Sequence, residues 1–365
     1  MRPALTHMTA SGTKSQFKTV TVVLLLIVLG AGAGLLCVEV GVRIYDHHHG
    51  VPLMSATRPS ALRFDAVLGW AMRESYRRVY TQYTHGGSRY LVRFSTDSSG
   101  GRVCDDARTG ARRKILVVGD SFTEAWEVND NLEYYCVAGR SLGALVHGFG
   151  AGGYGTLQER MVVERLLPTE RPDLVIIQVC YNDFINNDFG LEKASWQNNH
   201  FQRRPYWREG HVEFLLPNHF PLWFEVARMH SRIASNLYDG FVNRSAATAH
   251  SVEQDIEKDG AGHPGFQTAS VETRELFGQI KQLSKARRLA VFATDLQEPY
   301  LSGYRRIFQE LDIPFIEDGA AAVRSASAQG VDVFAHDGVH WNETGDRIAG
   351  EALARAIQRI SQNEF

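Results

Sequence analysis

In this chain of 365 residues, 22% are charged and the formal net charge is −2. That balance leaves no basic field of the kind nucleic-acid binding needs, so no nucleic-acid partner is expected. With about 50 N-terminal residues set aside, about 315 remain, enough for one large α/β domain with an insertion and a substantial core.

From Val20 to Val38 the chain is apolar and uncharged, roughly 19 residues and long enough to cross a bilayer. Arg2, Lys14 and Lys18 precede it, which keeps the amino end cytoplasmic and exports the rest. The reading is a cytoplasmic tail over 1–18, a signal anchor over 19–42 and an extracytoplasmic remainder. Ala31-Gly-Ala33 offers a competing signal-peptide cleavage site, but apolarity continues through Leu35, Leu36 and Val38 and favours a retained anchor. Leu36 stands before Cys37 where a lipoprotein needs a small residue.

Residues 43–113 read as a linker followed by an arm packed on the main domain. The run His47-His48-His49 could suggest a metal, yet three adjacent side chains cannot all face one ion, and a solvated linker is the better account. Phe64 to Trp70 and Tyr90 to Phe94 look like short strands. Ile115 to Val118 is short, β-branched and bounded by Gly119, a buried parallel strand delivering Ser121 to the carboxyl edge of a sheet. Taken alone, Gly119-Asp120-Ser121 is also an ordinary strand-to-helix turn with a polar N-cap.

A rival nucleophile lies in Gly139-Arg-Ser-Leu-Gly143, which has the formal pattern of a G-x-S-x-G elbow. A helix from about Glu133 to Leu142, closed by Gly143, is the preferred reading and makes Ser141 a helical residue. Next come the apolar Ala144 to Val146 and a glycine-rich loop, Gly148 to Thr156, whose backbone can approach a ligand closely. Asp173 to Asp183 is another buried strand ending on Asn182, an amide able to donate into the site Ser121 faces. In isolation the glycine stretch is a flexible connection and Asn182-Asp183 a turn.

An insertion over about 184–265 contains Trp196, Trp207 and Trp223 and a helix from Leu222 to Phe241. Its aromatic rings suit a wall for sugars or a lid over an acyl chain, although ordinary packing explains any single tryptophan. Val271 to Ala286 reads as a helix and Leu289 to Thr294 as a strand, so the elements alternate as in a doubly wound α/β fold. Finally, Asp337-Gly-Val-His340 places two polar residues three apart, a spacing that on one helical turn lets a carboxylate orient an imidazole. Cys37 and Cys180 look like small buried hydrophobes, while Cys104 and Cys136 could pair if the domain is exported.

The order of Gly119-Asp120-Ser121, Gly148 to Thr156, Asn182 and Asp337-Gly-Val-His340 resembles the SGNH (GDSL-type) hydrolases, membrane-anchored bacterial members included, over roughly Lys114 to Leu353. The resemblance implies a doubly wound, mainly parallel sheet flanked by helices over 114–362, with a C-terminal helix after the histidine. It implies Ser121 as nucleophile, His340 as base and Asp337 as its orienting acid. The oxyanion donors would be the N–H groups of Ser121 and Gly153, with Gly152 the neighbouring candidate, and the amide of Asn182. Tyr181 stands where the family usually has glycine, a departure that bears on substrate shape.

On this reading the chain is a serine esterase that works through an acyl-enzyme without metal or cofactor. Its expected substrate carries a small acyl group, acetate on an envelope glycan, with Tyr154, Tyr181 and Trp341 as substrate-binding aromatics. A glycan O-acetyltransferase, a lysophospholipase and a non-catalytic glycan-binding module are the alternatives, since the motifs specify acyl chemistry and leave the substrate nearly free.

Overall fold

The computed structural model describes residues 11–48, 61–104, 113–196, 203–217, 222–248, 250–285, 287–295 and 297–363. His49 and the rest of the linker up to residue 60 lie outside the described residues, as does the tail before Ser11. The chain divides into two compact units, Met1–Ser60 with Phe220–Arg244, and Ala61–His219 with Ser245–Phe365.

The larger unit is built on one sheet. Its strands are β1 (Arg102–Val103), β2 (Lys114–Gly119), β3 (Leu145–Gly150), β4 (Leu174–Val179), β5 (Arg288–Ala293) and β6 (Phe315–Ile316). They lie in the order β6-β5-β4-β2-β3-β1, with the first five parallel and only β1 antiparallel, against β3. The longer helices are α1 (Ser11–His48), α2 (Tyr134–Leu142), α3 (Thr156–Glu170), α4 (Leu222–His230), α5 (Arg232–Thr248), α6 (Pro264–Leu283), α7 (Tyr300–Leu311), α8 (Asp318–Ala328) and α9 (Glu343–Asn363).

Alternation along the strands divides the core. Leu116, Val118, Val175, Ile177 and Val291 point to one face and pack under α3, α6 and α7. Ile115, Val117, Ile176, Ala290 and Phe292 point to the other, under α2, α8 and α9. Strands buried on both faces need unbroken apolar runs, which is why they were conspicuous in the sequence. Cys104, after β1, is disulfide-bonded to Cys136 on α2.

Several elements differ from the sequence reading. The expected helix from Leu222 to Phe241 breaks at Ser231 into α4 and α5. Gly148 and Gly150 belong to β3 and not to a loop: a Cβ at Gly148 would fall 2.5 Å from the Tyr135 ring, and one at Gly150 would fall 2.7 Å from the Asp120 carbonyl. These glycines serve close packing. Residues 61–103 form antiparallel ribbons, Leu62–Asp65 with Gly69–Met72 and Arg77–Tyr83 with Arg89–Ser95, within the larger unit. Cys180 is buried, whereas Cys37 is exposed on α1.

The smaller unit contains α1, whose stretch Val20–Tyr45 is long and apolar enough to cross a membrane. Its apolar side chains from Val20 to Leu29 are exposed.

Candidate active site

Ser121 emerges from the carboxyl end of β2 at the first position of a one-turn helix, Ser121–Glu124. Both readings of the tripeptide hold together: Asp120 is the N-cap, accepting the Phe122 N–H at 3.0 Å, and Ser121 is the residue the turn presents. Gly119 is required there, because a Cβ would fall 2.2 Å from Gln178 Oε1 and 2.4 Å from Thr123 Oγ1. Gln178, on β4, accepts the Asp120 N–H at 3.0 Å and the Thr123 hydroxyl at 2.9 Å, locking the turn to the sheet.

His340 comes from 219 residues downstream, and its Nε2 lies 2.8 Å from Ser121 Oγ. Its Nδ1 is 2.5 Å from Asp337 Oδ2. The Asp-x-x-His spacing works through a tight turn and not through a helix. Asp337 Oδ1 accepts the N–H groups of Val339 and His340 at 2.9 and 3.0 Å, and Gly338 sits at φ +73°, where a side chain is strained. Asn342 then holds the start of α9 by accepting the N–H groups of Thr344 and Gly345.

The residues expected to supply oxyanion donors follow the carboxyl ends of β2, β3 and β4, and the Asn182 side-chain amide donates to Asn186 Oδ1 at 3.1 Å. The N–H groups of Ser121 and Gly153 have no hydrogen-bond partner among the described residues, and Gly153 is at φ +75°. Gly152 is differently placed, its N–H donating at 2.5 Å to the Glu124 carboxyl. That makes Gly153 the better candidate of the two. Trp70 holds the same loop from the other side, donating its indole N–H to the Gly152 carbonyl at 3.0 Å. Asn182 opens a short helix at the end of β4, where Cys180 Sγ lies against its Oδ1 and 2.9 Å from Asp120 Oδ2.

Two aromatic assignments are corrected. Tyr154 is wholly buried, its hydroxyl donating to the Trp70 carbonyl at 2.7 Å, so it supports the loop and has no face for a sugar. Trp341 is 3% exposed and packs on Phe122, Tyr134 and Phe292, which makes it core. Tyr154 is thus sealed inside the loop, while Trp341, though nearly buried, keeps an edge on the cavity that Tyr181 lines. Tyr181 is half-buried and helps line a cavity of about 490 Å³ with Phe122, Thr294, Phe334, Val339 and Trp341, immediate neighbours of Ser121 and His340 among them. Trp207 donates to Glu275 and belongs to packing of the insertion. The rival Ser141 bonds the Val137 carbonyl of its own helix.

Two acidic residues were missed. Glu124 and Glu127 are buried beside the Ser–His pair, and a carboxyl oxygen of Glu127 lies within 4.8 Å of ligand atoms of both Asp337 and His340. In sequence they are two glutamates interspersed with Phe122, Ala125, Trp126 and Val128, with no motif that marks them as part of the site. Burial pushes the Glu124 carboxyl up to about 7, against the opposing pull of the Gly152 N–H. Burial likewise raises Glu127. For His340, burial acts to lower the pKa. The Asp337 hydrogen bond and the charges of Glu127 and Asp337 outweigh it, and the imidazole is raised to about 9. Asp337 is desolvated but held down to about 2 by His340 and the two backbone N–H groups. Arg102, fully buried, pins the segment after Ser121 by donating to the carbonyls of Glu124, Ala125 and Val128 and pairing with Asp130 and Glu133.

A hydroxyl, an imidazole and a carboxylate in hydrogen-bonded sequence, beside two unengaged N–H groups, make the arrangement that activates serine for attack on a carbonyl. These are the positions that the resemblance to the SGNH hydrolases singles out. No family model and no curated relative matches the chain. Among solved structures, similarity is found to a lipolytic protein of the G-D-S-L family from Veillonella parvula, at 12% identity and TM-score 0.38, covering 67% of this chain and 98% of that one. The psychrotrophic esterase EstA from Pseudoalteromonas sp., inhibited by monoethylphosphonate, matches at 11% identity and TM-score 0.41, covering 68% and 99%. An acetylxylan esterase from Geobacillus stearothermophilus matches at 17% identity and TM-score 0.35, covering 69% and 95%. Likeness at this level leaves the chemistry to be argued from this chain's own side chains.

Proposed function

We propose that the chain is an SGNH-type serine esterase, tethered by Val20–Tyr45 and facing away from the cytoplasm. The observation that carries the reading is the continuous chain Ser121 Oγ to His340 Nε2 at 2.8 Å and His340 Nδ1 to Asp337 at 2.5 Å. His340 takes the Ser121 proton as the hydroxyl attacks the ester carbonyl, and Asp337 orients the imidazole and stabilises the imidazolium. The N–H groups of Ser121 and Gly153 and the Asn182 amide receive the oxyanion. His340 then protonates the departing alcohol, and water clears the acyl-enzyme by the same route in reverse.

The substrate is a small acyl ester, acetate on an envelope glycan. With Tyr154 and Trp341 buried, this rests on Tyr181 and on the location an exported domain would have. One observation favours a second reading: a cavity of about 490 Å³ beside Phe122 and Val339 exceeds what an acetyl group fills. A longer acyl chain, as in a lysophospholipid, would use it. Hydrolysis of p-nitrophenyl esters from acetate to palmitate separates the two. Rates highest at two to four carbons, and absent in Ser121→Ala, support the glycan-acetate reading, whereas an optimum at eight carbons or more replaces it with the lipid one.

A further inference from the structure

An acidic residue inside an apolar span demands a partner, because a carboxylate in hydrocarbon is costly unless it is paired. Glu39 lies in Val20–Tyr45, and its partners are in the insertion. Its Oε1 accepts the Arg232 N–H at 2.9 Å, and its Oε2 accepts the Ser231 hydroxyl at 2.9 Å and the Ile233 N–H at 3.0 Å. Arg43, one turn further along α1, pairs with Glu39 at 2.7 Å and donates to the His230 carbonyl at 3.1 Å. The break between α4 and α5 therefore has its exposed backbone satisfied by α1, as backbone at membrane depth must be.

The position of that contact fixes a depth. Glu39 is six residues inside the end of the span at Tyr45, about 9 Å along a helix. Helices joined there lie at the boundary between hydrocarbon and headgroups, where amphipathic helices settle about 5–10 Å deep. α4 and α5 form one hairpin, with the Arg228 guanidinium 4.9 Å from the Tyr238 ring centroid and Phe224 at 6.1 Å from the same ring. What the hairpin leaves outside is apolar: Trp223 is 70% exposed, Leu237 67% and Phe241 51%, the last two one turn apart on α5.

We propose that the α4–α5 hairpin lies in the lipid interface of the leaflet where α1 ends, anchored to the span by Glu39, with Trp223, Leu237 and Phe241 against the bilayer. The occupant of this surface is a phospholipid bilayer, since the hairpin is continuous with the element read as the span. The inference rests on that span, and its test separates the two.

In a Cys37→Ser background, single cysteines replace Leu25, Leu237, Phe241 or, as a reference on α6, the exposed Val271. Each carries an environment-sensitive fluorophore in the full-length chain, reconstituted into phosphatidylcholine–phosphatidylglycerol vesicles containing nitroxide-labelled lipid. Quenching at 237 and 241 at least half that at 25, and several-fold above that at 271, supports the proposal. Quenching at 25 alone overturns it while leaving the span intact. No quenching at 25 removes both. Rapid disulfide-linked dimerisation of the 237 variant, with little quenching there, assigns the face to a second copy and also overturns the proposal. Adding Glu39→Leu should reduce quenching at 237 and 241 at least twofold with that at 25 unchanged, and unchanged values at all three positions refute the anchoring role of Glu39.

Discussion

The imidazole of His340 holds its proton more tightly than a free histidine, and that sets how the site responds to pH. Its pKa is raised to about 9, so the neutral form that can act as base grows as pH climbs towards 9. The expected kcat/KM rises through that range on a single limb. Glu127→Gln removes one of the charges retaining the proton and should shift the limb to lower pH, measured with a neutral ester across pH 6–10. An unchanged limb would show that Glu127 does not act on His340. The folded pKa lies above the unfolded 6.5. The stabilisation from protonated His340 is therefore complete below about 6.5 and is lost as pH rises through 9. The meeting of Ser121, Asp337 and His340 was legible because the hydroxyl, carboxylate and imidazole sit in short motifs whose patterns are local. Glu124 and Glu127 were not, because only the fold buries them, and Tyr154 misled because adjacency in sequence does not give exposure in space.

The loop from Ala151 to Gly155 owes its shape to contacts with two other elements. Glu124 accepts the Gly152 N–H, Trp70 donates its indole N–H to the Gly152 carbonyl, and Tyr154 donates to the Trp70 carbonyl. Glu124→Ala should free the loop and lower kcat about tenfold, ~1.4 kcal/mol of barrier, with KM little changed. Glu124→Gln keeps an acceptor and should retain most of the rate; equal losses in both variants would mean that the charge, and not the hydrogen bond, matters. The bond between Cys104 and Cys136 closes a loop across 32 residues. Its removal in Cys104→Ala/Cys136→Ala should cost about 3–4 kcal/mol in denaturant unfolding, and a loss below about 1 kcal/mol would contradict a structural role. Central strands were readable because burial on both faces forces continuous apolar runs. The break at Ser231 was not, since the periodicity passes through it and the contact that fixes it comes from Glu39, 192 residues away.

Seen whole, the chain joins an apolar helix to a doubly wound α/β unit, and the alternation of strand and helix makes that unit visible in the sequence. The N-terminal segment was legible by composition alone, and its partner in the insertion was not, because tertiary hydrogen bonds leave no local pattern. A full-length chain should sediment with membranes and resist carbonate extraction, and a soluble protein under those conditions would remove the anchor. The central claim is that Ser121 is the nucleophile of the intact protein. Treatment of the full-length chain with a serine-reactive fluorophosphonate, followed by peptide mapping in a mass spectrometer, tests it most directly. One adduct is expected, on Ser121, formed at least a hundredfold more slowly in His340→Ala. An adduct on Ser141, or none on Ser121 in a folded protein, would contradict it.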